Sequence, residues 1–184
     1  MNALTLLKQD HQNVEALFQR FEKAAPDDAD ELRSVADKAI EHLSVHASIE
    51  EQLLYPALRA KAADHEAAVL EALEEHHAVK MLLNELEKLA PGDERFAAKL
   101  QVIAEQVRHH VQEEEDELFA TAREAFTVQE LEELGRSMQQ MKQTAPTRPH
   151  PFVPDTPPFN ILIGVPMAIL DRVVTTGRRV LTRR

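Results

Sequence analysis

His42-Leu43-Ser44-Val45-His46-Ala47-Ser48-Ile49-Glu50-Glu51-Gln52-Leu53-Leu54-Tyr55-Pro56 is the stretch that decides how this chain folds. Leading into it and through it, Leu32, Ala36, Ala39, Leu43, His46, Glu50, Leu53 and Ala57 recur at steps of 4, 3, 4, 3, 4, 3 and 4. Such a stripe is one helix face turned toward a core. His46 and Glu50, four residues apart, share that face and point inward, where a carboxylate without a partner is costly. A metal ion is the simplest partner for both.

Composition sets the bounds around this stretch. A chain of 184 residues is long enough for one domain with a sizeable core and an appendage. Four Gly, one Tyr and no Trp, against abundant Ala, Leu and Glu, argue for an all-α protein, because strands draw on β-branched and aromatic residues. With no Cys, disulfides, thiolate zinc sites and cysteine catalysis are excluded. No basic leader precedes a long apolar run, and no run of eighteen apolar residues occurs, so a cytoplasmic protein is the expectation. Up to Ala145 there are 15 Lys and Arg against 30 Asp and Glu, net −15; from Pro146 onward six Arg face Asp155 and Asp171, net +4. The acidic body disfavours nucleic acid as a partner of the bundle itself, so none is expected, since phosphate binding needs a basic face.

Taken in order, Leu4, Leu7, His11, Val14, Phe18 and Phe21 predict a helix from about Ala3 to Lys23. Ala25-Pro26-Asp27-Asp28 ends it, with Asp27 or Asp28 capping a second helix that runs to about Ala62 and bends at Tyr55-Pro56. Ala63-Asp64-His65 is the next expected cap, before a helix with Val69, Ala72, His76, Val79, Leu83 and Leu86 on its stripe. After the breaker Ala90-Pro91-Gly92-Asp93, the stripe Phe96, Leu100, Ile103, Val107, His110 and Glu114 predicts a fourth helix. A shorter one follows over Val128 to Gln143.

The two halves repeat. Asp10-His11 to Lys23 aligns on Glu75-His76 to Lys88 at an offset of 65, and His46-x-x-x-Glu50-Glu51-x-x-Leu54-Tyr55 on His110-x-x-x-Glu114-Glu115-x-x-Leu118-Phe119 at 64. A duplicated helical hairpin gives an up-down-up-down four-helix bundle. Counting from the turns at about 1.5 Å per residue places His11, His46, Glu50, His76, His110 and Glu114 in one layer, within about one helical turn of height. Four imidazoles and two carboxylates suit a pair of metal ions, with Fe, Zn, Cu and Ni all compatible and the carboxylates able to bridge. Two nitrogens and two bridging oxygens per ion leave coordination positions open for a small ligand.

This constellation resembles the hemerythrin-like, HHE cation-binding family over about Leu4 to Arg123. It consists of one His on the first helix, His-x-x-x-Glu followed by Glu-x-x-Leu-Tyr-Pro on the second, Glu-His on the third and His-x-x-x-Glu on the fourth. The resemblance implies a non-haem centre of two iron ions held by those six residues. The oxygen carriers of that family place two His four apart on the third helix and end in His-x-x-x-x-Asp; here Lys80 stands four after His76, and the fourth helix carries His-x-x-x-Glu. The resemblance therefore implies a protein that binds or reduces oxygen, nitric oxide or peroxide in stress or iron handling rather than an oxygen carrier, or a sensor of these without turnover.

Other residues carry weaker signals. Glu51 and Glu115 read equally as orienters of the ligands and as solvated surface carboxylates. Tyr55 reads as core, because Phe119 replaces it in the repeat, and His42, His65, His77, His109 and His150 read as surface or loop residues. The organisation expected is a bundle over 1–125, an added helix over 126–145, a Pro-rich linker over 146–160 and a basic amphipathic helix over 161–184. Residues 159–184 suit peripheral contact with a membrane surface or a partner, or docking on the acidic bundle, and are too short in apolar length to span a bilayer.

Overall fold

The fold was taken from a computed structural model, which describes residues 1–153; the later part of the expected linker and the amphipathic segment 161–184 lie outside the described residues. The described chain is all-α. Helix α1 spans Ala3–Lys23 and α2 spans Ala29–Ile49, followed by a π-helical turn, Glu50–Leu54, and by α3, Tyr55–Lys61. A 3-10 turn, Ala63–His65, leads to α4, Glu66–Leu86; then come α5, Phe96–Glu113, a second π-helical turn, Glu114–Leu118, α6, Phe119–Ala125, and α7, Val128–Met141. Packing joins α1 to α2, α2 to α4, α4 to α5 and α5 back to α1, which closes the four-helix bundle. Helices α2 and α5, which lead into the two Glu-bearing turns, are therefore diagonal.

Local chemistry sets the helix ends. The Asn2 side chain accepts the Thr5 N–H at 2.9 Å and Asp28, one of the two expected caps, accepts the Glu31 N–H at 3.0 Å. Thr127 and Glu130 form a reciprocal capping box at the start of α7. The expected cap at Ala63–His65 is instead a 3-10 turn without a side-chain cap.

The buried residues form two apolar clusters. One gathers Phe18, Val35, Leu83, Phe96, Leu100 and Ile103; the other gathers Leu7, Leu54, Tyr55, Leu58, Phe119 and Met138. Each π-helical turn carries an i to i−5 bond, Tyr55 N–H to the Glu50 carbonyl and Phe119 N–H to the Glu114 carbonyl. This corrects the expected stripe. A π turn holds one extra residue, so Leu54 and Leu58 take the buried positions, at 0% and 1% exposure, while Leu53 and Ala57 are only half-buried. Pro56 is not the cause, because the second half makes the same turn with Ala120 in its place.

Helix α7 packs along α1 and places Leu131 and Met138 in the second cluster. The chain beyond it does not leave at once as a free linker: Ala145 and Thr147 are buried, and Arg148 pairs with Glu87. At Gly135, a Cβ would lie 2.5 Å from the Met1 carbonyl oxygen and 2.8 Å from the Ala3 nitrogen. Intrinsic helix propensity favours Ala over Gly by about 1 kcal/mol, whereas overpacking against backbone costs about 1–3 kcal/mol. Gly135→Ala is therefore expected to lower stability by about 1 kcal/mol net in urea unfolding, and a stabilised variant would contradict the close approach.

Candidate metal centre

The six sequence-predicted residues meet in the layer between the two apolar clusters. α1 supplies His11, α2 His46, α4 His76 and α5 His110, while Glu50 and Glu114 open the two π-helical turns. None is more than 6% exposed. Ligand-capable atoms of His11, His46, Glu50 and Glu114 lie within 4.8 Å of one another, as do those of Glu50, His76 and His110. Glu50 belongs to both groups: its Oε2 is 3.1 Å from His46 Nε2 and 3.4 Å from His76 Nε2. Glu114 places Oε2 3.2 Å from His11 Nε2.

Each imidazole turns Nε2 inward and Nδ1 toward an outer carboxylate. His11 Nδ1 meets Glu115 at 2.9 Å, His76 Nδ1 meets Glu51 at 3.0 Å, and His110 Nδ1 meets Glu75 at 2.7 Å. His46 Nδ1 faces Asp10 more loosely, at 3.7 Å. Three lysines hold the outer carboxylates: Lys8 on Glu115 at 2.9 Å, Lys80 on Glu51 at 2.6 Å and Lys142 on Asp10 at 2.5 Å. A carboxylate on Nδ1 fixes the proton there and leaves the Nε2 lone pair facing the centre, the arrangement of metal-binding histidines. His76 and His110 then direct two lone pairs at each other across 3.1 Å. Repulsion between them is relieved only by a cation or a proton in that space.

Residues 2–122 match the hemerythrin HHE cation binding domain. The chain belongs to this family. A crystal structure of a hemerythrin HHE cation binding domain-containing protein from Mycobacterium kansasii superposes with a TM-score of 0.66 at 27% identity, covering 78% of this chain and 86% of that one. An uncharacterised hemerythrin-like protein of Schizosaccharomyces pombe is 24% identical over 89% of this chain and 80% of its own length. A DNA nickase of Nostoc is 26% identical over 72% of this chain, but the match spans only 37% of that protein.

The donor set of this hemerythrin-like chain fits a cation on electrostatic grounds. His11 Nε2, His46 Nε2, both oxygens of Glu50 and Oε2 of Glu114 are buried without a hydrogen-bond partner, a state that is costly unless a charge completes them. Burial, and then the charge of Glu114, raises Glu50 well above the usual carboxylate range. Burial also opposes the Glu114 charge, yet the His11 imidazole 3.2 Å away and the neighbouring imidazoles hold it down at about 2. Burial lowers His46, and lowers His76 further with help from His110 and Lys80, so both present neutral imidazoles.

Several residues were missed or undecided in the sequence. Glu51 and Glu115 face the imidazoles, which removes the surface alternative. Asp10 and Glu75, not singled out as orienters, do the same work, and their signal was an acid preceding His in both halves of the repeat. Tyr55 is buried as expected of core, but its hydroxyl lies 3.4 Å from His76 Nε2 and 3.5 Å from Glu114 Oε1. His109 is exposed as expected, whereas His65 meets the Thr121 hydroxyl at 3.2 Å.

A cation that completes this layer stabilises the fold by about 2.7 kcal/mol at 100 times its dissociation constant. Because burial raises Glu50, a proton bound there stabilises the cation-free protein at low pH, and that effect is lost as pH rises. The cation takes that proton's place, so its benefit grows with pH. The rise in melting temperature on adding Co(II) is expected to be larger at about pH 8 than at about pH 5, and a pH-independent rise would count against Glu50 as a ligand.

Proposed function

We propose that the six residues hold two iron ions and that the centre binds or reduces a small ligand, with peroxide favoured over neutral oxygen or nitric oxide. The observation that carries this reading is a cavity of about 30 Å³ against the four imidazoles, walled by Val14, Leu43, Ala47, Val79, Leu83 and Val107. That is room for about two water-sized groups, the size of a diatomic molecule or peroxide, in largely apolar surroundings. Two irons with open positions supply two electrons to such a ligand or take two from it.

The chain's own groups determine what the cavity prefers. Lys80 is half-buried on its wall, bonded to Glu51, and places an ammonium beside the ligand space where the carriers of the family have an imidazole. An ammonium favours a polar or anionic ligand over an apolar diatomic. On the other side of the imidazoles, burial raises Tyr55 well above its ordinary value, so its hydroxyl keeps its proton at the centre. Glu51, Glu75 and Glu115 hold the imidazoles in one tautomer and orientation.

A sensing role is the second reading, and one contact favours it. Lys142, just past α7, grips Asp10, which faces His46, so a shift at that imidazole is felt where the chain leaves the bundle toward its basic tail. Regulation by iron or redox state through residues 159–184, on a membrane surface or a protein partner, follows on this reading.

The deciding measurement is iron per chain with the near-ultraviolet and visible spectrum before and after peroxide or nitric oxide. Two irons and a ferric absorption that responds to peroxide are expected, and one zinc without a spectrum would sink the proposal. Removing residues 146–184 should leave peroxide turnover unchanged if the centre is an enzyme, and should abolish a cellular response while sparing the spectrum if it is a sensor. Glu51→Gln is expected to weaken iron binding by about 10- to 100-fold with the helix content intact. Unchanged affinity would make that contact merely structural.

A further inference from the structure

The duplicated hairpins are alike in sequence but not in what covers them. On the first hairpin, the face outside Asp10 and Glu50 is Ala3, Leu6, Leu7 and Ile49, each at most 3% exposed, and it is packed in the cluster that α7 completes with Leu131 and Met138. At the repeat offsets of 65 and 64, Leu6 becomes Glu71, Val45 becomes His109, Ile49 becomes Glu113 and Leu53 becomes Glu117. On the second hairpin those four residues are exposed. They belong to an acidic face with a groove of about 60 Å³ between α4 and α5, to which Glu71, Glu75, Glu113 and Glu117 contribute and no Lys or Arg among the described residues does.

Two observations link this groove to a cation. At its mouth, ligand-capable atoms of Glu75, His109 and Glu113 lie within 4.8 Å of one another. Its inner wall is formed by His110 and by Glu114, two residues of the buried layer, and Glu114 is 2% exposed with its Oε2 turned to His11 on the far side. Glu75 joins the two, since it faces the outer triad and bonds His110 Nδ1 at 2.7 Å. The lysine ties are also uneven. Asp10, Glu51 and Glu115 each carry a lysine, whereas among the described residues no lysine sits on Glu75. An ammonium on Glu75 would repel an arriving cation, and its absence keeps the path negative from surface to centre.

We infer that the groove between α4 and α5 is the port through which divalent cations reach the buried centre, with Glu75, His109 and Glu113 as a transient surface site. The inference rests on the reading of the buried layer as a metal centre. It separates two routes on one molecule: cations arrive through the acidic groove, and the small ligand occupies the apolar cavity lined by Val79, Leu83 and Val107. Two carboxylates and an imidazole at the surface, with Glu71 and Glu117 beside them, attract a hydrated divalent ion, and weak, partly solvated ligation lets it move on to Glu114 and His110.

The test mixes metal-free, full-length protein with Co(II) at low ionic strength and follows the visible cobalt absorption that develops at the buried imidazoles. A triple variant, Glu71→Gln, Glu113→Gln and Glu117→Gln, is expected to fill about tenfold more slowly than the natural chain and to reach the same end-point. A control of equal charge change away from the groove, Asp27→Asn, Glu94→Gln and Glu132→Gln, is expected to fill within about twofold of the natural rate, because exposed charges beyond about 10 Å are screened. Filling of the groove variant at the natural rate overturns the port, whatever its end-point. Equal slowing of both variants overturns it too, since the net charge alone would then be acting. A natural chain that takes up no cobalt overturns the metal centre itself, and the port with it.

Discussion

Four imidazoles and two carboxylates buried in the middle of an apolar bundle are the constraint on which the rest of this structure depends. A layer of this kind is far from water and has more lone pairs than donors, so each proton and each charge has to be assigned. The protein does so from outside inward. Lysines at the surface hold carboxylates, carboxylates hold Nδ1 protons, and the Nε2 lone pairs are left to converge on the two inner glutamates. The apolar clusters above and below fix the helices at the spacing this requires.

Duplication explains the near symmetry of that arrangement, and its exceptions locate the specialised parts. Glu51 and Glu115 cross between hairpins to reach His76 and His11, so neither hairpin completes its own histidines. The halves differ where Tyr55 in one stands in the place of Phe119 in the other, which gives one side of the layer a hydroxyl and the other an apolar ring stacked on His11. They differ again where α7 covers one outer face and leaves its twin acidic.

The bundle, its repeat and the depth of the six inner residues were legible because helical periodicity and loop breakers are local signals, and a repeat states each of them twice. The outer carboxylates were half legible: Glu51 and Glu115 were candidates without a deciding contact, and Asp10 and Glu75 were seen only as part of the motif. A hydrogen bond between helices has no spacing in sequence. Leu53 and Ala57 read as core because a stripe of alternating steps of 4 and 3 does not register a π turn. The docking of α7 onto α1 also depends on a long-range fit, at Gly135 against the N-terminal backbone, that composition does not signal.

The two π-helical turns have a consequence for how the chain tolerates change. Each is a phase correction of about 100° in the rotation of its helix, introduced right at the glutamate that serves the centre. Removing a single residue from Glu50–Leu54 would let the turn close as ordinary α-helix, so that everything after it would keep its rotation about the axis. Tyr55 and Leu58 would still face the core, and the change would fall on the turn itself, where the Tyr55 N–H now reaches the Glu50 carbonyl. The two π turns are therefore places where the chain has absorbed one residue beyond the α-helical count without rephasing its core, and Phe119-Ala120 follows such a turn as readily as Tyr55-Pro56 does.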